Sequence, residues 1–370
     1  MNGGIGMKKL VGLLIACMLI SMLPVGALAN ENSIERKVEG FINEISQHEG
    51  FEIWDGEKLG RKIELHNSAG NLSAYLFHVK HGEDIIGYLL VNPNSEEIIE
   101  FAASQSPYDD YLSEYIKAKG DKFKNKDTNM LYDGPTMYGI AVKDKNDENA
   151  KEEIIDFTMD SEVRVTVDAA SAVRKLMEIK EISVGYSNKE FKDVIPMATI
   201  VEKNLNVPDI EWYRACGPTT GANIVYYWDG NGYSNLVNQS TQDEEDVIDR
   251  LYELMDCEGQ VTLPIGFWYG LQDYMDIPYN GVFDVSRSMS VSYTKIKNEI
   301  NADRPGALLY LLHPTYANHY VTFTGYRYSP DYPGQEYYII HDTWSTTPVN
   351  VYRQYSEDNE YMYYIFTIVN

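Results

Sequence analysis

The sequence predicts an α+β fold in two parts, and three features carry that prediction. Near the start, apolar residues recur at helical spacing over residues 32–47, which predicts an amphipathic helix. Apolar segments of strand length follow at 74–79, 86–91 and 97–102, as expected for an antiparallel sheet beside that helix. In the second half, a helix-forming segment begins at Cys216 and precedes two further strand patterns. A chain of 370 residues is long enough for two domains.

The first 29 residues have the three parts of a secretory signal peptide. Lys8 and Lys9 supply the positive charge, residues 10–20 form an apolar run, and residues 27–29 (Ala-Leu-Ala) form a small-x-small cleavage site. We therefore expect cleavage after residue 29 and a secreted, extracellular protein that is either free or associated with the cell wall. No later stretch is long enough to span a bilayer, so we expect no stable membrane insertion once the signal is removed.

The composition fits an exported protein. Acidic residues outnumber basic ones by 56 to 31, and the formal net charge is −25. A surface of this sign disfavours nucleic acid and anionic membrane as partners. Only three cysteines occur, one of them inside the predicted signal peptide, so no disulfide framework is predicted. A Cys216–Cys257 disulfide would make the chain a binding module, but the helical pattern around Cys257 favours a simply buried thiol.

Residues 30–190 are predicted to form the first α+β domain. Residues 143–153 are highly charged and poor in apolar residues, which predicts an exposed loop. Residues 162–182 then resume an ordered pattern, as a strand followed by a helix. We expect the domain boundary between 184 and 206, with a linker at 185–189.

Cys216 stands at the start of the helix predicted in the second half. Pro218 fits the first helical turn because its missing N–H would have no partner there. Residues 222–228 continue the helix, and residues 229–232 (Asp-Gly-Asn-Gly) end it. A sulfur at a helix N-terminus lies near the positive end of the helix dipole, which favours the nucleophilic thiolate. A small buried cysteine would give the same pattern, so this motif alone does not identify a nucleophile.

A histidine and an aspartate follow in the order that a cysteine nucleophile requires. His319 opens the predicted strand 319–326, and Asp342 ends the next one. An imidazole can take the thiol proton, and a carboxylate can hold the imidazole in the right tautomer. Strand alternation sends His341 to the face opposite Asp342, so we do not expect His341 to take part in the same site. His313 is predicted to lie in the loop before the His319 strand.

These motifs resemble those of secreted bacterial cysteine peptidases related to the double-glycine (bacteriocin-processing) peptidases, within the papain-like superfamily. The matching segments are Cys216-Gly217-Pro218-Thr219-Thr220, His319-Tyr320-Val321-Thr322-Phe323-Thr324-Gly325-Tyr326 and Asp342-Thr343-Trp344. The resemblance implies a papain-like peptidase domain at 200–370 that acts on a peptide or protein substrate and needs no cofactor. It also implies catalytic roles for Cys216 as nucleophile, His319 as general base and Asp342 as the residue that orients the histidine.

The N-terminal half has a looser similarity of its own. The segments 87–91, 98–101 and 106–108 resemble parts of the cystatin-like N-terminal propeptides of several secreted bacterial cysteine peptidases. That resemblance implies that residues 30–190 form a propeptide-like domain. Such a domain aids folding or blocks the active site until it is cut, so the uncut chain would be a zymogen.

One departure from the family pattern concerns the oxyanion. The family usually has a Gln a few residues before the Cys, whereas segment 207–215 has none and Trp212 stands in its place. Losing one such donor costs about a hundred- to a thousandfold in rate. The indole N–H of Trp212 or the side chain of Asn206 could replace it. Two alternatives therefore stay open: a non-catalytic descendant that binds peptide or cell wall, and amidase or transpeptidase chemistry at the same site.

No metal site is predicted. Residues 229–232 begin like a calcium loop, but Tyr233 stands where the next oxygen ligand should be, and no Glu closes the loop on schedule. The sequence contains no phosphate loop and no zinc-binding cysteine or histidine pattern.

Overall fold

The computed structural model describes residues 25–67, 69–109, 126–135, 138–146, 153–156, 199–310, 319–332, 334–345 and 347–370. The helices are α1 (Val25–Ile45), α2 (Cys216–Gly230), α3 (Glu244–Leu254), α4 (Pro264–Tyr279), α5 (Tyr293–Asn301) and α6 (Tyr355–Asp358), with a 3₁₀ helix at Glu52–Trp54. The N-terminal strands are β1 (Lys58–His66), β2 (Leu72–His81), β3 (Asp84–Val91), β4 (Ile98–Ala102), β5 (Lys126–Tyr132), β6 (Tyr138–Asp144) and β7 (Glu153–Asp156). The C-terminal strands are β8 (Val201–Asn204), β9 (Asp284–Ser288), β10 (Gly306–Tyr310), β11 (His319–Tyr328), β12 (Glu336–His341), β13 (Val351–Gln354) and β14 (Met362–Val369). The α+β class is confirmed.

The described strands form one sheet in the order β7-β6-β5-β1-β2-β3-β4-β13-β12-β11-β10-β14-β9, and β8 pairs with β11. Neighbours are antiparallel except β1 and β5, which pair in parallel at a single position. The join between the N-terminal and C-terminal strands is the antiparallel pair β4–β13, where Phe101 lies opposite Tyr352 and Glu100 lies opposite Arg353. The two predicted domains therefore share a sheet, and their division into separate units stays a prediction.

The N-terminal prediction matches the described elements closely. The expected strands at 74–79, 86–91 and 97–102 correspond to β2, β3 and β4. The expected helix at 32–47 corresponds to α1, which begins earlier, at Val25, and so includes the predicted cleavage site at 27–29. The remaining signal-peptide residues, the strand and helix at 162–182 and the linker at 185–189 lie outside the described residues.

Strand alternation gives the C-terminal sheet two buried faces. Along β12, Tyr338 and Ile340 join the apolar core formed with α2, α3 and α4. Tyr337 and Ile339, which point the other way, join a second core with α1 and the inner residues of β2, β3 and β4. Helix α2 and helix α1 therefore pack on opposite faces of the same sheet. Within the described ranges, no helix has both the length and the apolar character to cross a bilayer.

Candidate active site

Helix α2 packs along β11 so that Cys216 lies beside the start of that strand. Thr220 Oγ1 donates a hydrogen bond to the Tyr320 carbonyl oxygen at 3.1 Å. One turn later, Asn223 Nδ2 donates to Thr322 Oγ1 at 3.2 Å. The helix and the strand therefore run in the same direction, and the N-terminal end of α2 meets the first residues of β11. A backbone hydrogen bond from Tyr320 reaches the thiol of Cys216.

Burial dominates the electrostatics of the Cys216 thiol. The residue is 7% exposed. Burial raises the pKa of the Cys216 thiol to about 11, although backbone hydrogen bonds from Tyr320 and Gly217 act in the opposite direction. The backbone donors at the helix start act in the expected direction and lower the pKa of the thiol, but desolvation of the sulfur outweighs them, so the net shift is upward.

The segment before Cys216 is fixed by polar side chains of α2. Asn223 Oδ1 accepts a hydrogen bond from the Ile210 backbone N–H at 2.9 Å. Thr219 Oγ1 accepts from the Tyr213 N–H at 3.2 Å and donates to the Ala215 carbonyl at 2.9 Å. Arg214, between these anchors, has a φ of 60°, which is uncommon for a non-glycine residue. The chain thus makes a tight turn directly before the cysteine.

His319 is held by the main chain of Asp342. Its Nε2 lies 3.0 Å from the Asp342 carbonyl oxygen. A carbonyl can only accept, so Nε2 carries the proton and Nδ1 keeps a lone pair in the neutral ring. Burial lowers the pKa of His319 to about 4, and the bond to the Asp342 carbonyl offsets this only in part. At neutral pH the imidazole is therefore uncharged and has Nδ1 as its acceptor.

The Asp342 carboxylate faces the turn that follows it. Its Oδ1 accepts hydrogen bonds from the Trp344 N–H at 3.1 Å and from Thr347 Oγ1. Its Oδ2 is buried and has no partner among the described residues. Burial raises the pKa of Asp342 to about 7, and the Thr347 bond lowers it by less. The structure thus brings Asp342 to His319 through its carbonyl, while an orienting role for the carboxylate stays a prediction.

An aromatic stack covers one face of the histidine. Trp344 lies parallel to His319, with ring centroids 4.7 Å apart and planes 11° apart. Trp212 stacks on Trp344 with ring centroids 6.3 Å apart and planes 25° apart, and the Trp212 backbone N–H donates to the Thr343 carbonyl at 2.7 Å. Thr343 has a φ of 69°, a strained value for a β-branched residue, and such strain concentrates at functional sites. Trp212, which stands where the family has Gln, is therefore tied to the turn after Asp342. Sequence reasoning did not predict this stack.

A second thiol lies close to the start of α2. Gly217 leaves room for the side chain of Thr262, because a Cβ at Gly217 would be 2.5 Å from Thr262 Oγ1. Thr262 Oγ1 in turn lies 3.2 Å from Cys257 Sγ. Cys257 follows α3 instead of lying within a helix, and no disulfide joins it to Cys216. Sequence reasoning missed Thr262, since nothing in its local sequence indicates contact with a residue 45 positions earlier.

His341, the other histidine beside Asp342, makes structural contacts. His341 Nδ1 lies 3.1 Å from the Pro208 carbonyl, and Nε2 lies 3.0 Å from Asn350 Oδ1. His341 therefore anchors the segment that precedes Cys216. His313 lies outside the described residues.

The calcium-like segment at the C-terminal end of α2 is held by hydrogen bonds within the protein. Asp229 Oδ1 accepts from the Val237 N–H at 2.9 Å, and Oδ2 accepts from Gln239 Nε2 at 2.8 Å. These bonds occupy both carboxylate oxygens with protein donors. Over the described ranges, no group of three or more His, Cys, Asp or Glu residues is arranged to hold a metal ion.

A comparison with protein families supports the fold class of the C-terminal part. Residues 201–367 match the Peptidase_C39 like family. The match relates this part of the chain to the C39 and papain-like cysteine peptidases, and it confirms the papain-like fold class. It begins at β8 and ends within β14, so it includes α2, β11 and the turn after β12. No curated protein matches the sequence.

Proposed function

We propose that this protein is an exported cysteine peptidase that hydrolyses peptide bonds through an acyl-enzyme, with Cys216 as nucleophile and His319 as general base. One observation carries the proposal: the N-terminus of α2 meets the start of β11, where a backbone hydrogen bond from Tyr320 reaches the Cys216 thiol. The neighbouring His319 is fixed with its Nδ1 as acceptor. The segment that carries these residues is the one related to peptidases.

The proposed reaction starts from neutral partners. The thiol pKa is about 11 and the imidazole pKa about 4, so neither group is charged at pH 7. The Cys216 proton therefore passes to His319 Nδ1 as the sulfur attacks the substrate carbonyl carbon. The backbone N–H of Cys216 donates to the oxyanion that forms. His319 then gives its proton to the leaving amine, and a thioester remains on Cys216.

Hydrolysis of the thioester completes the cycle. His319, neutral again, takes a proton from water, and the resulting hydroxide attacks the thioester carbonyl. The thiolate leaves, takes back the proton from His319, and the carboxylic acid product is released. In this scheme Asp342 orients His319 through its carbonyl oxygen, and the stacked Trp344 restricts rotation of the ring. The substrate is a peptide or a protein.

Export rests on the sequence of the first 29 residues, which we propose act as a cleaved signal peptide. The protein would then act outside the cell or at the cell wall. The chief competing function is a non-catalytic module of the same fold that binds peptide. Its support is Trp212, which stands in the place of the expected Gln and stacks on Trp344.

A cleavage assay with matched cysteine variants tests the proposal. The purified protein is incubated with a mixed peptide library, and new termini are identified by mass spectrometry. We expect cleavage by the wild type and by Cys257→Ala, and none above background by Cys216→Ala or His319→Ala. Cys257 is the matched control because it is a second thiol near the same helix start.

Two results would contradict the assignment. Equal cleavage by Cys216→Ala and the wild type would exclude Cys216 as the nucleophile. Binding of peptides by a folded wild type that cleaves none of them would favour the non-catalytic module. Circular dichroism of each variant keeps loss of fold distinct from loss of chemistry.

A further inference from the structure

The N-terminal part, defined as α1 and β1–β7, supplies a strand neighbour to the C-terminal sheet. Strand β4 pairs with β13 in antiparallel register, with Phe101 opposite Tyr352 and Glu100 opposite Arg353. Without β4, β13 would be an open sheet edge, with unpaired backbone N–H and C=O groups that invite association with other chains. The backbone of the C-terminal sheet is therefore completed by the N-terminal part.

A buried ionic network crosses the same join. Arg353, Glu100 and Asp358 are each at most 1% exposed. Arg353 donates from Nε and Nη2 to the two Asp358 oxygens at 2.6 and 2.7 Å, and from Nη1 to Glu100 Oε2. Its Nη2 also donates to Tyr132 OH at 2.8 Å. Two further phenols of the N-terminal part donate to the Glu100 carboxylate, those of Tyr88 and Tyr138. The arginine thus binds carboxylates from both parts at once.

The apolar contact between the two parts is aromatic and closely packed. Phe101 stacks on Tyr352, with centroids 4.7 Å apart and planes 17° apart, and meets Tyr337 edge-on at 5.2 Å. Phe51 and Phe41 pack against Tyr352 and Tyr337 at 5.3 and 6.3 Å. Tyr337 OH also donates to the Ile98 carbonyl at 3.1 Å. An interface with an apolar core and fully bonded charges has the character of a permanent association.

The aromatic core that the two parts share and the cysteine occupy opposite sides of the C-terminal sheet. The aromatic cluster packs on the face of β12 that presents Tyr337 and Ile339. Cys216 belongs to the core on the other face, with Tyr338 and Ile340. The aromatic contacts therefore lie away from the Cys216 site and can persist while that site is open. The Arg353 network lies on the other face, because Arg353 is opposite Tyr338 in the β12–β13 pair and Tyr338 OH donates to Asp358.

From these contacts we infer that the N-terminal part is a permanent structural component of the folded protein. It stays bound to residues 199–370 after any cut between the two parts, and its departure is not what exposes Cys216. The N-terminal part then acts as a fixed partner that completes the sheet, and this would hold also if the chain had no peptidase activity. The N-terminal part is then not a removable propeptide, although it keeps the expected role in folding.

Cutting the folded chain tests the inference. A recognition sequence for a site-specific protease is inserted at residues 185–189 of the full chain, and the purified protein is cut and passed over a size-exclusion column at 1–10 µM, on the order of ordinary assay concentrations. We expect both fragments in one peak, at the elution volume of the uncut protein. Iodoacetamide labelling of Cys216 at pH 9 should differ less than twofold before and after the cut.

Matched variants identify the interface. In the cut protein, Arg353→Met should release a measurable fraction of the fragments, whereas Arg250→Met should leave co-elution unchanged, since Arg250 lies in an exposed pair with Glu253. Separation of the two wild-type fragments, in whatever folded state, would overturn the inference. A tenfold rise in Cys216 labelling on cutting would overturn the statement that departure of the N-terminal part is not needed.

Discussion

The reactivity of the Cys216 thiol should follow its burial. With a pKa of about 11, about one molecule in 10⁴ carries the thiolate at pH 7, against about 3 in 100 for an ordinary cysteine with a pKa near 8.5. Ionisation alone should therefore make Cys216 about 300-fold slower to alkylate at pH 7 than an exposed thiol. The rate should rise about tenfold per pH unit from pH 6 to 9.5, with no plateau.

Peptide-resolved mass spectrometry after timed iodoacetamide treatment measures this rate, because Cys216 and Cys257 fall in different peptides after digestion. His319→Ala should keep the same slope, since a neutral imidazole does not stabilise a thiolate in the resting protein. Cys257→Ser removes the neighbouring thiol as a control. A plateau below pH 7 that disappears in His319→Ala would reveal a thiolate–imidazolium pair and refute the reasoning from burial.

Three further predictions concern the free energy of unfolding, each measured by urea unfolding. Arg353→Met leaves two buried carboxylates without their cation and should lower the stability by about 3–5 kcal/mol. Arg250→Met should lower it by under about 1 kcal/mol, because the Arg250 ion pair is exposed. Equal losses of stability would contradict the network. Gly217→Ala should destabilise the protein by about 1–3 kcal/mol, since the new Cβ would overlap the buried Thr262 side chain. Gly230→Ala should stabilise it by up to about 1 kcal/mol, because a Cβ there has nothing within 4 Å. The reverse order of stabilities would refute the packing argument. Asp342 has a folded pKa of about 7, above the unfolded value near 3.9, so its contribution to stability is present below pH 4 and is lost as pH rises through 7. Asp342→Asn should therefore stabilise the protein at pH 8 by up to about 4 kcal/mol and have little effect at pH 4; an equal effect at both pH values would argue against a raised pKa.

Local patterns in the sequence were sufficient for the elements that carry their own periodicity. The strands β2, β3 and β4 combine apolar runs with clear turns, so each was predictable within a few residues. The apolar stripe predicted α1 as well, but not its first turns, since the helix begins at Val25 and not at residue 32. The start of α2 at Cys216 was predictable because Pro218 fits only the first turn of a helix.

Features that depend on distant residues could not be predicted in this way. The pairing of β4 with β13 has no local signal, because either strand could have been an edge. The pKa of Cys216 depends on how deeply the sulfur is buried, which the helix start does not reveal. The Asp342 motif indicated a carboxylate beside His319, but the atom bonded to the ring is the Asp342 carbonyl oxygen, while the carboxylate accepts from the Trp344 N–H and from Thr347. Whether Cys216, His319 and Asp342 are catalytic stays a prediction.

The join between the two halves also constrains the order of folding. Glu100 and Arg353 are 253 residues apart in the chain, so closing that loop costs about 5 kcal/mol of chain entropy before any contact forms. Hairpins such as β2–β3 and β11–β12 close far shorter loops and should form first, and the two sheets should meet late and slowly. A chain that stops before Val351 lacks β13 and α6 altogether, so the N-terminal hairpins would keep an open edge and a buried glutamate without its arginine. The complete sheet can therefore form only after residues 351–370 are available to pair.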